Sequence, residues 1–103
     1  MTLKIVGSHL CPNTLYAIVK CKEVGIPVRF TDISASLDGM REFLALREQD
    51  EIYSELRTLS GMKDYVKNGR IGLPCFIFED GNKTLNLDEA IEKAAVISRN
   101  HLW

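Results

Sequence analysis

The sequence predicts an α/β domain: one mixed, four-stranded sheet with helices on both faces. Three observations predict it. A strand, a helix and a strand follow one another within the first 33 residues. The stretch Cys75-Phe-Ile-Phe, Asp80-Gly81, Lys83–Leu85 has the form of a β-hairpin. A helix start follows directly after that hairpin. Strand–helix–strand makes two strands parallel, whereas a tight hairpin makes its own pair antiparallel, so the sheet must be mixed.

Each element has a local reason. Leu3 to Gly7 is a short hydrophobic strand with Gly7-Ser8 as its exit. Pro12 to Val24 is a helix, because proline suits a first helical position whose N–H would lack a partner anyway. Leu15, Ile18 and Val19 recur at helical spacing and Gly25 is the stop. Pro27 to Ile33 is the second strand. In SLDGMREFLALREQD, Met40, Phe43 and Leu44 predict a helix over Asp38 to Arg47. Asp50 then caps a second piece with Ile52, Leu56 and Leu59 on one face. Gly61 and Asn68-Gly69 break the pattern, so GMKDYVKNGR reads as a short helix and a loop. At the last helix Asn86 is the cap and Glu89 stands three residues on, as in a capping box; Ile91, Ala94, Ala95 and Ile97 follow. The order is β-α-β-α(α)-β-β-α.

Composition narrows the function classes. The chain has 103 residues, which suits a single domain over 1–103, and it is 46% hydrophobic, enough for a core without disulfide staples. A formal net charge of -1 argues against nucleic acid as a partner. There is no apolar run long enough to span a membrane and no signal-peptide pattern, so a cytoplasmic address is expected. Three cysteines cannot all pair within one chain, which predicts free thiols in a reducing compartment. No Cys/His spacing suggests a metal site.

The stretch SHLCPNT, Ser8 to Thr14, carries the chemistry. On this outline Cys11 is the N-cap of the first helix, at the C-terminal end of the first strand. Ligands bind at that edge in open α/β sheets. The unpaired N–H groups of Asn13 and Thr14, with the helix dipole, favour a negative sulfur there, and thiolate is the reactive form. The Thr14 hydroxyl is a further donor. His9, two residues upstream, would add positive charge if protonated, although a plain loop role is the simpler reading. The second motif is Gly72-Leu73-Pro74-Cys75-Phe76, directly before the third strand. Proline is tolerated at a strand's first position and is open to either peptide isomer.

Together, CPNT at the first helix and GLP before an antiparallel hairpin resemble the glutaredoxin branch of the thioredoxin superfamily, over nearly the whole chain. The resemblance implies a thioredoxin fold, with Cys11 as nucleophile and Pro74 cis and facing it. It also implies that the Leu73 backbone pairs with a peptide or glutathione. The implied catalytic set is Cys11, Thr14 and Pro74; the implied glutathione or substrate set is His9, Pro12, Asn13, Leu73, Pro74, Leu87 and Asp88. Glutathione would be a co-substrate, with no tightly bound cofactor, and the partner would be glutathione or a disulfide-bearing protein. The chain would act as a monomer or weak dimer. The sequence also departs from the family. Thr14 replaces the second cysteine of the usual pair, so exchange would follow a single-cysteine route. Ser8 stands where a lysine is common, Asn86-Leu87-Asp88 replaces a glycine pair, and the 58–70 region is longer than the family needs.

Plainer readings stand beside these. Cys75, opening a buried strand, reads first as core and second as a resolving thiol, which would need Cα atoms within about 7 Å of each other. Cys21 lies about 15 Å along the helix from Cys11 and reads as packing. Asp88 and Glu89 also suit a helix N-terminus for electrostatic reasons alone. His101 has no evident role, and Leu102 and Trp103 form a loose or tucked end. Two further function classes stay open: an iron–sulfur carrier, although the usual Cys-Gly-Phe-Ser signature is missing, and a non-catalytic binding module using the groove between Cys11 and Pro74. An arsenate-reductase-like reading would want an arginine set that the sequence does not clearly offer.

Overall fold

The computed structural model describes residues 2–59 and 70–101, with the side chains described up to residue 97. The expected helix and loop at GMKDYVKNGR falls almost wholly outside the described residues, as do Leu102 and Trp103. The strands are β1 (Leu3–Gly7), β2 (Val28–Asp32), β3 (Cys75–Ile77) and β4 (Lys83–Thr84). The helices are α1 (Pro12–Glu23), α2 (Leu37–Gln49), α3 (Ser54–Leu59) and α4 (Leu87–His101), and a 3-10 turn, Glu51–Tyr53, precedes α3. The sheet order is β2-β1-β3-β4. β1 runs parallel to β2 and antiparallel to β3, and β3 pairs antiparallel with β4. The mixed sheet is therefore the expected one. No helix among the described residues is long and apolar enough to cross a membrane.

The pleat of β1 and β3 divides the core into two layers. Leu3 and Ile5 of β1, with Phe76 of β3, meet Ala17 and Cys21 of α1 and Ala90 and Ala94 of α4 on one face. Val6 and Cys75 point the other way, onto Ile33, Phe43 and Tyr53. This is the period-two alternation of a strand buried on both sides. Each fully buried large apolar side chain contributes on the order of 1.5–3 kcal/mol of transfer free energy.

The helix faces follow the sequence expectation in part: Ile18 of α1 and Ile91, Ala94 and Ile97 of α4 pack on the core as expected, and other residues do not. In α1 the buried residues are Thr14, Ala17 and Cys21, whereas Leu15 and Val19 are 46% and 55% exposed. In α2, Phe43 is buried with Met40 and Leu46 packed beside it, and Leu44 is exposed. In α4, Ala90 and Ala94 face the sheet and Ala95 faces solvent. The cause is shared by α1 and α4. The strands supply large side chains, so the helices approach them on small ones.

The junctions are held by specific hydrogen bonds. Ser36 caps α2 by accepting the Gly39 N–H at 3.0 Å. Asp50 accepts the Ile52 N–H at 3.0 Å and pairs with Lys83 of β4 at 3.0 Å, tying the hairpin to the end of α2. The Arg57 guanidinium donates to the carbonyls of Arg47 and Asp50 at 3.0 and 2.7 Å across the same junction. At α4 half of the capping box forms: Asn86 Oδ1 accepts the Glu89 N–H at 3.0 Å. The Asn86 N–H goes to the Thr84 hydroxyl at 3.1 Å, not to Glu89.

Candidate functional site

The site begins where β1 ends. Gly7 closes the strand, and the Cys11 N–H donates to the Ser8 carbonyl at 3.0 Å, turning the chain back. Cys11 is extended (φ -97°, ψ 116°) and its carbonyl accepts the Leu15 N–H at 3.2 Å, which makes it the N-cap of α1, with Pro12 at the first helical position. Thr14 is fully buried, and its hydroxyl oxygen accepts the Ser8 N–H at 3.3 Å. The hydroxyl proton is therefore left for the Cys11 side.

Cys11 is partly exposed and its thiol pKa lies below the ordinary cysteine value. Partial desolvation pushes it up. The Thr14 hydroxyl and the backbone N–H groups of Thr14 and Asn13 pull it down, and together they prevail. The sulfur makes no capping hydrogen bond of full standard geometry, so these groups act as oriented dipoles around a soft anion. The other two thiols behave oppositely. Burial raises the Cys21 thiol, and Cys75, also fully buried, is pushed up to about 11 chiefly by desolvation. Both fit the core reading. A resolving thiol would need accessible thiolate character, and Cys75 has neither exposure nor acidity. One thiol is thus open to reagents in the folded chain. A disulfide reagent such as 5,5′-dithiobis(2-nitrobenzoate) is expected to titrate one sulfur natively and three after unfolding; three rapid native equivalents would contradict this arrangement.

The Leu73–Pro74 peptide is cis. Leu73 and Pro74 form a wall shared by two clefts. The larger, about 950 Å³, is lined by Cys11, Asn13, Leu73 and Pro74 together with Ile33 and Leu56. The smaller, about 470 Å³, is lined by Asn13, Tyr16, Leu73, Pro74, Leu87 and Asp88. Cys11, Asn13, Leu73, Pro74, Leu87 and Asp88 are therefore brought to one region of the surface, with Thr14 buried directly behind the sulfur.

His9 and Pro12 are placed elsewhere. His9 turns to the end of β2: its Nδ1 lies 2.8 Å from Asp32 Oδ2 and its N–H reaches Asp32 Oδ1 at 3.3 Å. A charged His9 would be spent on Asp32, and it is not among the groups acting on Cys11. Pro12 starts the helix and lines neither cleft. The structure adds one group that sequence reasoning did not single out. The Tyr53 hydroxyl donates to the Gly72 carbonyl at 2.6 Å, across 19 residues of chain, and also faces the Cys75 thiol. No sequence signal pointed to it, since the contact exists only after folding. No protein-family model, curated protein or solved structure matches this chain.

Proposed function

We propose that the chain is a thiol–disulfide oxidoreductase of glutaredoxin type on a thioredoxin fold, working by a single-cysteine route in the cytoplasm. The sheet order, and proline directly before β3, support the fold reading. The observation that carries the functional reading is that Cys11, a thiol made more acidic by its surroundings, shares one cleft with the Leu73–Pro74 wall.

The Cys11 thiolate attacks one sulfur of a disulfide, best a protein–glutathione mixed disulfide. A new S–S bond forms to Cys11 as the old one breaks, and the other sulfur leaves as a thiolate that takes a proton from water. A second thiolate, free glutathione, then attacks the Cys11 mixed disulfide and returns the Cys11 thiolate. The external thiol fits this second step because Cys75 is buried and poorly acidic. In the first step the Thr14 hydroxyl and the Asn13 and Thr14 amides hold the sulfur's charge. The Leu73 backbone pairs with the substrate chain. The smaller cleft, with Asp88 at the start of α4, receives the charged end of glutathione.

The test needs no substrate. Below its pKa a cysteine is a slow nucleophile, and its alkylation rate rises as pH passes through the pKa. Cys11 alkylation by iodoacetamide is expected to show a midpoint below that of free cysteine. A midpoint at or above the free value would sink the proposal.

A further inference from the structure

We propose that Tyr53 is a positioning residue for substrate: by holding the Gly72 carbonyl, it aims the Leu73 N–H outward as the donor for a peptide carbonyl of the disulfide-bearing chain. The inference rests on the exchange reading above and deepens it.

The peptide unit between Gly72 and Leu73 is planar and trans, since the cis bond is the next one. In such a unit the carbonyl and the N–H point in opposite directions. The Tyr53 hydroxyl grips the Gly72 oxygen at 2.6 Å from the core side. The Leu73 N–H on the same plate is then turned away from Tyr53, and Leu73 lines both clefts. Among the described residues that N–H has no hydrogen-bond partner. The neighbouring positions leave it little competition. Pro74 has no N–H, and Cys75 is already in register with Val6 in the sheet.

Tyr53 is well suited to hold a plate still. Its side chain is fully buried. Its ring meets Phe43 edge-on, with centroids 6.0 Å apart and planes at 85°, and the Arg47 guanidinium lies 5.7 Å above it. The ring occupies the space that a Gly72 side chain would need: a Cβ there would fall 2.4 Å from Tyr53 Cε1. Gly72 has φ +90°, which L side chains rarely adopt. Ring and glycine therefore interlock, and the hydroxyl is held between the Gly72 carbonyl and the Cys75 thiol. Burial, and then the Cys75 thiol, push the phenol pKa upward, so it remains a donor across the neutral range.

The test variant is Tyr53→Phe, which keeps the ring and deletes only the hydroxyl. With an S-glutathionylated cysteinyl peptide as substrate and glutathione as reductant, KM is expected to rise about ten-fold with kcat nearly unchanged, the pattern of a lost binding contact. The rate of Cys11 alkylation by iodoacetamide should stay at the wild-type value, because a small alkylating agent does not use Leu73. An unchanged KM would overturn the inference, and so would an equal loss of alkylation, which would mean a general loosening. If Tyr53→Phe does not fold, the Cys11→Ser chain is titrated with the same peptide and the Leu73 amide is followed by NMR. A downfield proton shift is expected, and a stationary Leu73 signal with bound peptide would overturn the inference. Failure of the exchange reading would appear differently, as absence of wild-type turnover.

Discussion

Replacing Cys11 with serine is expected to reduce turnover of a protein–glutathione mixed disulfide to the uncatalysed background. The argument depends on ionisation. The features around Cys11 favour a negative atom, and a thiol made more acidic supplies one more readily than an ordinary cysteine does. A serine hydroxyl in the same place stays protonated and cannot form the S–S intermediate. The fold should survive, since Cys11 is partly exposed and its sulfur makes no formal capping bond. Serine is itself a favoured N-cap residue, so the melting temperature should hold or rise slightly. Circular dichroism and a glutathione-coupled assay on the same sample separate the two effects. Turnover surviving in Cys11→Ser would show that the reactive group is elsewhere. Cys75→Ala is the matched control: it should cost some stability, because it empties core volume, and it should leave turnover in place if external glutathione completes the cycle.

The second large effect is expected from Gly7→Ala. A Cβ on Gly7 would fall 2.5 Å from both Cγ2 and Oγ1 of Thr14. Thr14 is fully buried and its hydroxyl is engaged by the Ser8 N–H, so it has nowhere to retreat. Overpacking of this kind costs roughly 1–3 kcal/mol. In a domain of this size each kcal/mol corresponds to about 4–8 °C in Tm. The displaced hydroxyl also stops stabilising the thiolate, so the alkylation midpoint of Cys11 should move up toward the ordinary cysteine value. The double variant Gly7→Ala/Thr14→Ala removes both clashing atoms. It should recover most of the lost stability while the midpoint stays high. Recovery of both, or of neither, would show that Thr14 does not link the strand end to the sulfur.

Much of the arrangement was readable in the sequence where a local rule applies. Pro12 and Gly25 bracket α1, Asp80-Gly81 turns the hairpin, and Asn86 caps α4, because each is a short-range signal with one backbone consequence. The N-cap position of Cys11 followed from the same kind of rule. Helix phase was harder. Leu15 and Val19 are larger and more apolar than Ala17 and Cys21, and a periodicity argument weights size. The sheet instead selects the small residues, for they allow close approach to Leu3, Ile5 and Phe76. The loop position of His9 was legible, but its partner was not, because Asp32 lies 23 residues away on the neighbouring strand. Tyr53 was hidden for the same reason, its carbonyl partner being 19 residues further on.

The seating of the three sulfurs has a consequence for the chain under oxidising conditions. Cys21 and Cys75 are sealed in the two core layers, and Cys11 alone reaches the surface. The folded molecule is therefore monovalent toward its own kind. Two copies can be joined covalently, but the pair has no outward sulfur left to recruit a third. Air oxidation of the native protein should stop at a two-chain species, and longer ladders should form only from chains that have first come apart.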